Sequence, residues 1–389
     1  MTIESSANRS HVAANAPDTG RSRTHHFPEL DALRGLAAMV VVFGHFAGLW
    51  DPSSLHRRTA FWLEVFFPFI NAHASVILFF LLSGFVLSLP YQRGSPRPYR
   101  VFALRRLARI YLPYLAALML AVVCDWYLHQ PIAVSAWFGQ IWTEALTWPL
   151  VLQHVLLVGN YNTAQINTAF WSLAVEMRLS LVFPLLCVPL LRFRRSFALA
   201  AVLLLYALFV AIVHLGSGRM DRISFFNLSD TVSGALAFAA GILLARWLEP
   251  IKTVWGSFPP ALQLLVFASS LAMLEWSTAL NSTPLRVLSF PLTLSGGGGV
   301  LMAALSFARL RHALNRPLPA WLGRISYSLY LVHGTVLFSL VHLTFGRVAR
   351  IQLLAPYLTI SLALAAGFYP AIEKPSIHLS RVIGSRGRL

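Results

Sequence analysis

The sequence predicts an all-α polytopic membrane protein with about ten transmembrane helices and both termini in the cytoplasm. Three observations carry that expectation. Mean hydropathy is +0.65, with 57% hydrophobic and 12% charged residues; soluble domains carry about 25% charged residues. Apolar runs of about 20 residues recur along the whole chain, the length that crosses about 30 Å of hydrocarbon. Basic residues are also distributed unevenly between alternate loops.

The runs fall at approximately 33–50, 70–90, 110–128, 170–191, 197–215, 231–248, 258–276, 285–308, 321–342 and 351–371. The stretch 133–158 is apolar too, but Glu144, Pro149 and His154 interrupt it, which points to a re-entrant or interfacial segment, with an eleventh span as the competing reading. With the N-terminus inside, 22 of the 31 basic residues fall on inner segments, seven on outer loops and two, Arg34 and Arg178, within spans. Alternation of this kind is the positive-inside rule and sets both ends in the cytoplasm. The net charge of +17 therefore reports topology, and no nucleic-acid partner is expected; the bilayer is the expected partner. Residues 1–26 are polar and are expected to form a disordered cytoplasmic lead without a cleavable signal peptide. Residues 27–381 are expected to form one integral-membrane domain, and 382–389 a short basic cytoplasmic tail. Cys124 and Cys187 lie within spans, so neither a disulfide nor a metal framework is expected.

The first run, LDALRGLAAMVVVFGHF, carries Arg34 and His45. Eleven helical steps make about 1100°, so both side chains leave one face, about 16 Å apart along the axis. A central charge costs about 2.5–3.5 kcal/mol on insertion scales, so a polar stripe in a span marks a path through it. On the boundaries above, Arg34 sits at the cytoplasmic end and His45 about 18 Å in. The second run, with FFLLSGFVLS, offers Ser83 and Gly84 for close helix approach and a hydroxyl.

The third span is entered through YRVFALRRLARIYLPYL, whose Arg105, Arg106 and Arg109 stand beside the inner end of the first. With Arg34 they make a cationic mouth suited to phosphates, because guanidinium binds phosphate oxygens in a bidentate fork. The fourth opens with FWSLAVEMR and places Glu176 about 9 Å below the outer boundary, near the depth of His45. In the ninth, SYSLYLVH sets Ser326, Tyr330 and His333 on one face. Taken singly, each feature has a plainer role: arginines anchor topology, Glu176 neutralises Arg178, and Tyr330 is an interior tyrosine. Their convergence at overlapping depths predicts one shared cavity.

From about Phe27 to Arg381 the chain resembles the acyltransferase-3 family, bacterial integral-membrane O-acyltransferases that act on polysaccharides and other glycans. The resemblance rests on Asp31-Ala32-Leu33 followed by the Arg34–His45 spacing, then FFLLSGF, RRLARIYLPY, FWSLAVE, GRISYSLYLVH and IEKP at 372–375, all in the family's order. The chain departs from the pattern after Glu176, where Met177, Arg178 and Leu179 replace a further acid or amide and aromatic residues; Arg178 is then expected to pair with Glu176. About eighteen residues remain after the last span, so the fused extracytoplasmic domain of some members is not expected.

The resemblance implies a multi-pass protein of the bacterial inner membrane, with no bound cofactor. It implies a cytoplasmic acyl-coenzyme A donor, acetyl above all, and a hydroxyl acceptor on a cell-surface or lipid-linked glycan. Arg34, Arg105, Arg106 and Arg109 would hold the donor's phosphates. His45 would act as a neutral general base, since desolvation disfavours imidazolium, or as an acyl relay. Glu176 would orient His45 or the acceptor, Trp171 would stack on a sugar, and Ser83, Tyr330 and His333 would line the cavity. Acylation of a small secondary metabolite, or transport of a glycan intermediate, remain alternatives; the lack of repeat symmetry between the two halves weighs against a transporter.

Overall fold

The computed structural model describes residues 27–51, 70–96, 98–130, 132–142, 145–157, 160–216, 218–283 and 285–386. The lead 1–26, the outer-loop Arg57 and Arg58, Glu144 and the last three residues of the basic tail lie outside the described residues. Among the described residues there are helices and turns but no strands, and ten helices are long and apolar enough to cross a membrane.

In chain order the helices are α1 (Pro28–Ala47), α2 (Ala72–Gln92), α3 (Tyr99–Leu128), the short α4 (Trp148–Leu156), α5 (Phe170–Arg192), α6 (Arg195–Gly216) and α7 (Arg222–Arg246). After them come the short α8 (Leu248–Ser257), α9 (Pro260–Asn281), α10 (Arg286–Ser306), the short α11 (Ala308–Leu314), α12 (Pro317–Thr344) and α13 (Arg350–Ser385). Ten spans is an even number, so both ends share one face, and the arginine bias makes that face cytoplasmic.

Local chemistry starts several of these helices. Proline opens α1, α9 and α12 at the first turn, where its missing N–H costs nothing. Asn71 caps α2 by accepting from the Ala74 N–H at 3.1 Å, and Asp221 caps α7 through the Ser224 N–H at 2.9 Å. Hydrogen bonds from Ser224 hold the exposed Asp221 carboxyl below its usual range.

α12 is the central helix, with 83% of its apolar window buried, whereas α6, at 11%, faces lipid. α1 packs on α12 with glycine on both sides: a Cβ on Gly35 would meet the Gly323 backbone, and one on Gly323 would meet Asp31 and Ala32. Both helices run from the inner to the outer face. The same interval, ten residues or about 15 Å of rise, separates Gly35 from His45 and Gly323 from His333. The crossing therefore brings the two histidines to one height.

One boundary near the site differs from expectation, and the interrupted stretch behaves as expected. α1 begins at Pro28 because its polar first turn, with Glu29 and Asp31, is helical as well. Arg34 thus lies about 9 Å inside the helix, and His45 falls in its last turn. The stretch 133–158 does not cross: α4 has 9 residues, about 14 Å of helix. It packs instead on the outer half of the bundle, reaching as deep as Tyr114, midway along α3. Ser135 donates to the Gly48 carbonyl at 2.7 Å, Trp142 Nε1 to Ile166 at 2.9 Å, and the Tyr114 hydroxyl to the His154 carbonyl at 2.8 Å. Burial beneath this segment pushes the Tyr161 hydroxyl up to about 12.

Candidate functional site

A cavity of about 400 Å³ opens among the cytoplasmic ends of α1, α3, α12 and α13. Arg34, Arg106, Arg109, Arg324 and Arg381 line it, with Asp31, Glu176 and Glu373 as the acids among the described residues. Two π-helical turns deliver members of this set: Leu107–Tyr111 carries Arg109, and Tyr369–Glu373 carries Glu373. Such turns insert one extra residue and are frequent at functional sites. Glu373 is fixed by α12, accepting from the Ser328 N–H at 3.1 Å and its hydroxyl at 2.6 Å. Arg34 and Arg109 make no side-chain hydrogen bond or ion pair among the described residues, so their donors are open to the cavity.

Arg106 is committed differently. It pairs with Glu176 at 2.8 Å and donates to Ser180 from Nη2 at 3.0 Å and from Nε at 3.2 Å. Ser83 donates to the same Glu176 oxygen at 3.4 Å. Beside this pair lies a smaller space of about 30 Å³ that shares Arg34, Ser83 and Glu176 with the larger cavity and is lined also by Val76, Phe79, Phe80, Ser172 and Tyr330. The Tyr330 and Ser172 hydroxyls lie 2.6 Å apart, and Phe79 meets the Tyr330 ring edge to face at 5.7 Å.

On the far side of Tyr330, 5.8 Å between ring centres, stands His333. Its Nε2 is 2.9 Å from Nδ1 of His45, and its Nδ1 is 3.0 Å from the Leu329 carbonyl. A carbonyl only accepts, so the His333 Nδ1 carries a proton. In a neutral ring Nε2 is then bare and must accept from the His45 Nδ1–H. A neutral His45 is left with its lone pair on Nε2. Nothing among the described residues hydrogen-bonds that nitrogen, and the residue is partly exposed. Trp137, from the outer segment, lies over the His45 ring at 5.3 Å.

The structure thus brings Arg34, Arg106, Arg109, Glu176, Ser83 and Tyr330 around two adjoining spaces, with His45 and His333 one ring beyond the smaller of them. Arg105 is not among the lining residues; it packs against Gly384 of α13. Arg178 does not take Glu176, as its position suggested. It bonds Thr231 and Asn227, each at 3.1 Å, because residues two apart leave opposite sides of a helix. No hydrogen bond joins Glu176 to His45, since Glu176 is engaged by Arg106 and Ser83. Trp171 stacks on His73 at 6.2 Å and 15°.

Sequence reasoning passed over Arg324, Arg381, Ser172, Glu373 and Trp137. The first two read as topology anchors. Glu373 was visible in the IEKP motif without a partner, and Ser172 and Trp137 carried no spacing signal.

A ten-span bundle with an arginine-lined inner cavity and a hydrogen-bonded histidine pair near it defines a polytopic membrane protein with a polar site inside its helices. The family model of the acyltransferase domain, acyltransferase-3, matches residues 27–370, and the chain belongs to that family. It is a multi-pass membrane acyltransferase. Among curated relatives it is similar to "Nodulation protein 10" of Rhizobium leguminosarum bv. viciae, 27% identical over 399 residues, covering 94% of this chain and 98% of that protein. It is also similar to "Acyltransferase MdmB" of Streptomyces mycarofaciens, 31% identical over 163 residues, 42% of this chain and 40% of that protein. No solved structure matches the chain.

Proposed function

We propose that the protein transfers an acetyl group from cytoplasmic acetyl-coenzyme A to a hydroxyl of a cell-surface or exported glycan, at the outer side of the bacterial inner membrane. The observation that carries this reading is the pair of adjoining spaces between the arginine-lined mouth and Tyr330, one ring short of the His333–His45 pair. Arg34 and Arg109, with open donors, would grip the donor's phosphates. The pantetheine arm would follow α1 past Ser83 and Glu176. The smaller space, about 30 Å³ beside Phe79, Phe80 and Tyr330, favours a short acyl group such as acetyl over a long chain.

In the transfer, His45 Nε2 takes the acceptor's hydroxyl proton while that oxygen bonds the thioester carbonyl carbon. The carbonyl–sulfur bond breaks, and the proton returns from Nε2 to the departing thiolate, releasing coenzyme A with a free thiol. While the proton sits on His45, its Nδ1–H donates to His333, which the Leu329 carbonyl holds in the accepting tautomer. His333 acts as a positioning residue. Glu176 holds Arg106 at the wall of the cavity, and the Arg106–Glu176 pair supports the donor rather than the base.

The test is purified protein in detergent with acetyl-labelled coenzyme A and a membrane glycolipid extract. Label is expected to leave the donor and appear on extractable glycan with wild type and not with His45→Ala. Label that stays on the donor with wild type, across glycan and metabolite acceptors, would reject the transfer reading.

A further inference from the structure

A second cavity, of about 320 Å³, lies at the opposite face among the outer ends of α6, α9 and α10, with His73 of α2 at its inner wall. No acid lines it. Three of its polar residues mark the outer boundary: His214 lies two residues before the end of α6, Asn281 ends α9 and Arg286 begins α10. Below them, Phe209, Val210, Val213 and Phe290 give an apolar wall. α6 and α9 are peripheral helices, with 11% and 22% of their apolar windows buried, so this wall adjoins lipid.

The polar groups have no internal purpose. Among the described residues Arg286, His214, Asn281 and His73 make no side-chain hydrogen bond or ion pair, and the Thr278 hydroxyl is buried in the same wall without a partner. A buried hydroxyl without a partner is costly, and a bound polar ligand would offset that cost. An outer-face arginine also runs against the positive-inside bias. Arg222 is engaged by Gln140 at 2.8 Å and Arg350 by the Leu49 carbonyl at 2.7 Å, whereas Arg286 faces an open cavity.

The cavity reaches toward the transfer site. His73 stacks on Trp171, and the next residue, Ser172, lines the smaller inner space. Gly44, just before His45, packs against Ala72, just before His73. The stacked His73 and Trp171 rings, with Phe80 edge-on to Trp171 at 6.3 Å, stand between the two spaces.

We propose that this outer cavity binds a lipid-borne acceptor, with its phosphate at Arg286, His214 and Asn281, its chain along Phe209 and Val213, and its sugar hydroxyls toward His73 and Trp171. The word acceptor rests on the transfer reading above; the phosphate site does not. The ligand class is a prenyl phosphosugar. An ordinary anionic phospholipid shares the phosphate but lacks the sugar that the His73–Trp171 end would take.

The experiment is binding of farnesyl phosphoryl-glucose to the full chain in detergent, read by native mass spectrometry and isothermal titration, with phosphatidylglycerol as the comparison arm. One equivalent is expected to bind wild type, His45→Ala is expected to bind equally, and Arg286→Gln to bind about tenfold more weakly because a charge-assisted contact is lost. Val213→Trp, which fills the apolar wall, is expected to block binding independently. No binding to wild type, or unchanged affinity in Arg286→Gln and Val213→Trp, would overturn the site. Equal affinity for phosphatidylglycerol would make it a lipid site and overturn the acceptor assignment. Because binding needs no turnover, failure of acyl transfer alone would leave the phosphate site standing.

Discussion

His45 and His333 share a hydrogen bond of 2.9 Å between Nδ1 of the first and Nε2 of the second, and that bond fixes which nitrogen of His45 is free to react. The two come from helices far apart in sequence that cross at Gly35 and Gly323.

His333→Ala should lower kcat for acyl transfer by about 10²-fold or more, on the scale of a lost general-base arrangement, while leaving KM for acetyl-coenzyme A near wild type. His333→Gln, which can still accept from His45 through its amide oxygen, should recover part of the rate. Steady-state kinetics on purified variants check this; a raised KM with unchanged kcat would place His333 in donor binding instead.

Arg34→Ala should raise KM for acetyl-coenzyme A by about tenfold, one charge-assisted contact, with little change in kcat. The penalty should shrink when the donor lacks its 3′-phosphate or its nucleotide. An equal penalty on an acetylated pantetheine fragment would remove Arg34 from phosphate binding.

The side chains of Arg106 and Glu176 are 13% and 15% exposed, a nearly buried ion pair. Removing one partner strands a charge and should cost about 3–5 kcal/mol, whereas removing both together should cost less. Thermal unfolding of Glu176→Gln, Arg106→Met and the double variant in detergent tests this by a double-mutant cycle. Additive losses would mean that the two do not act as a pair.

Phe79→Ala should enlarge the smaller space and shift donor preference from acetyl toward butyryl and longer groups. Competition between labelled donors of different length reads the shift. Unchanged preference would mean that acyl length is set elsewhere.

The sequence identified most members of this site but few of their bonds. Helical spacing showed that Arg34 and His45 share a face, yet the partner of His45 lies 288 positions away, and no local pattern spans that distance. The signal that was present, a glycine ten residues before each histidine, needed the helix crossing to give it meaning. Arg105, Arg106 and Arg109 appeared on neighbouring faces of one helix start, which left open which of them reach the cavity; Arg105 packs against Gly384 of α13, a contact that the local spacing does not show. Composition alone was enough for the ten spans, because each must satisfy its backbone internally and hide its polar groups from lipid. The outer cavity was invisible, since Arg286 and His214 belong to different helix ends and neither end carries a motif.

The most direct test uses proteoliposomes loaded with acetyl-labelled coenzyme A, with a membrane glycolipid extract supplied outside. Wild-type protein is expected to move label to the external glycan, and His45→Ala, inserted at the same level, is expected to leave it inside on the donor. Equal labelling of the external glycan by both proteins would contradict the account.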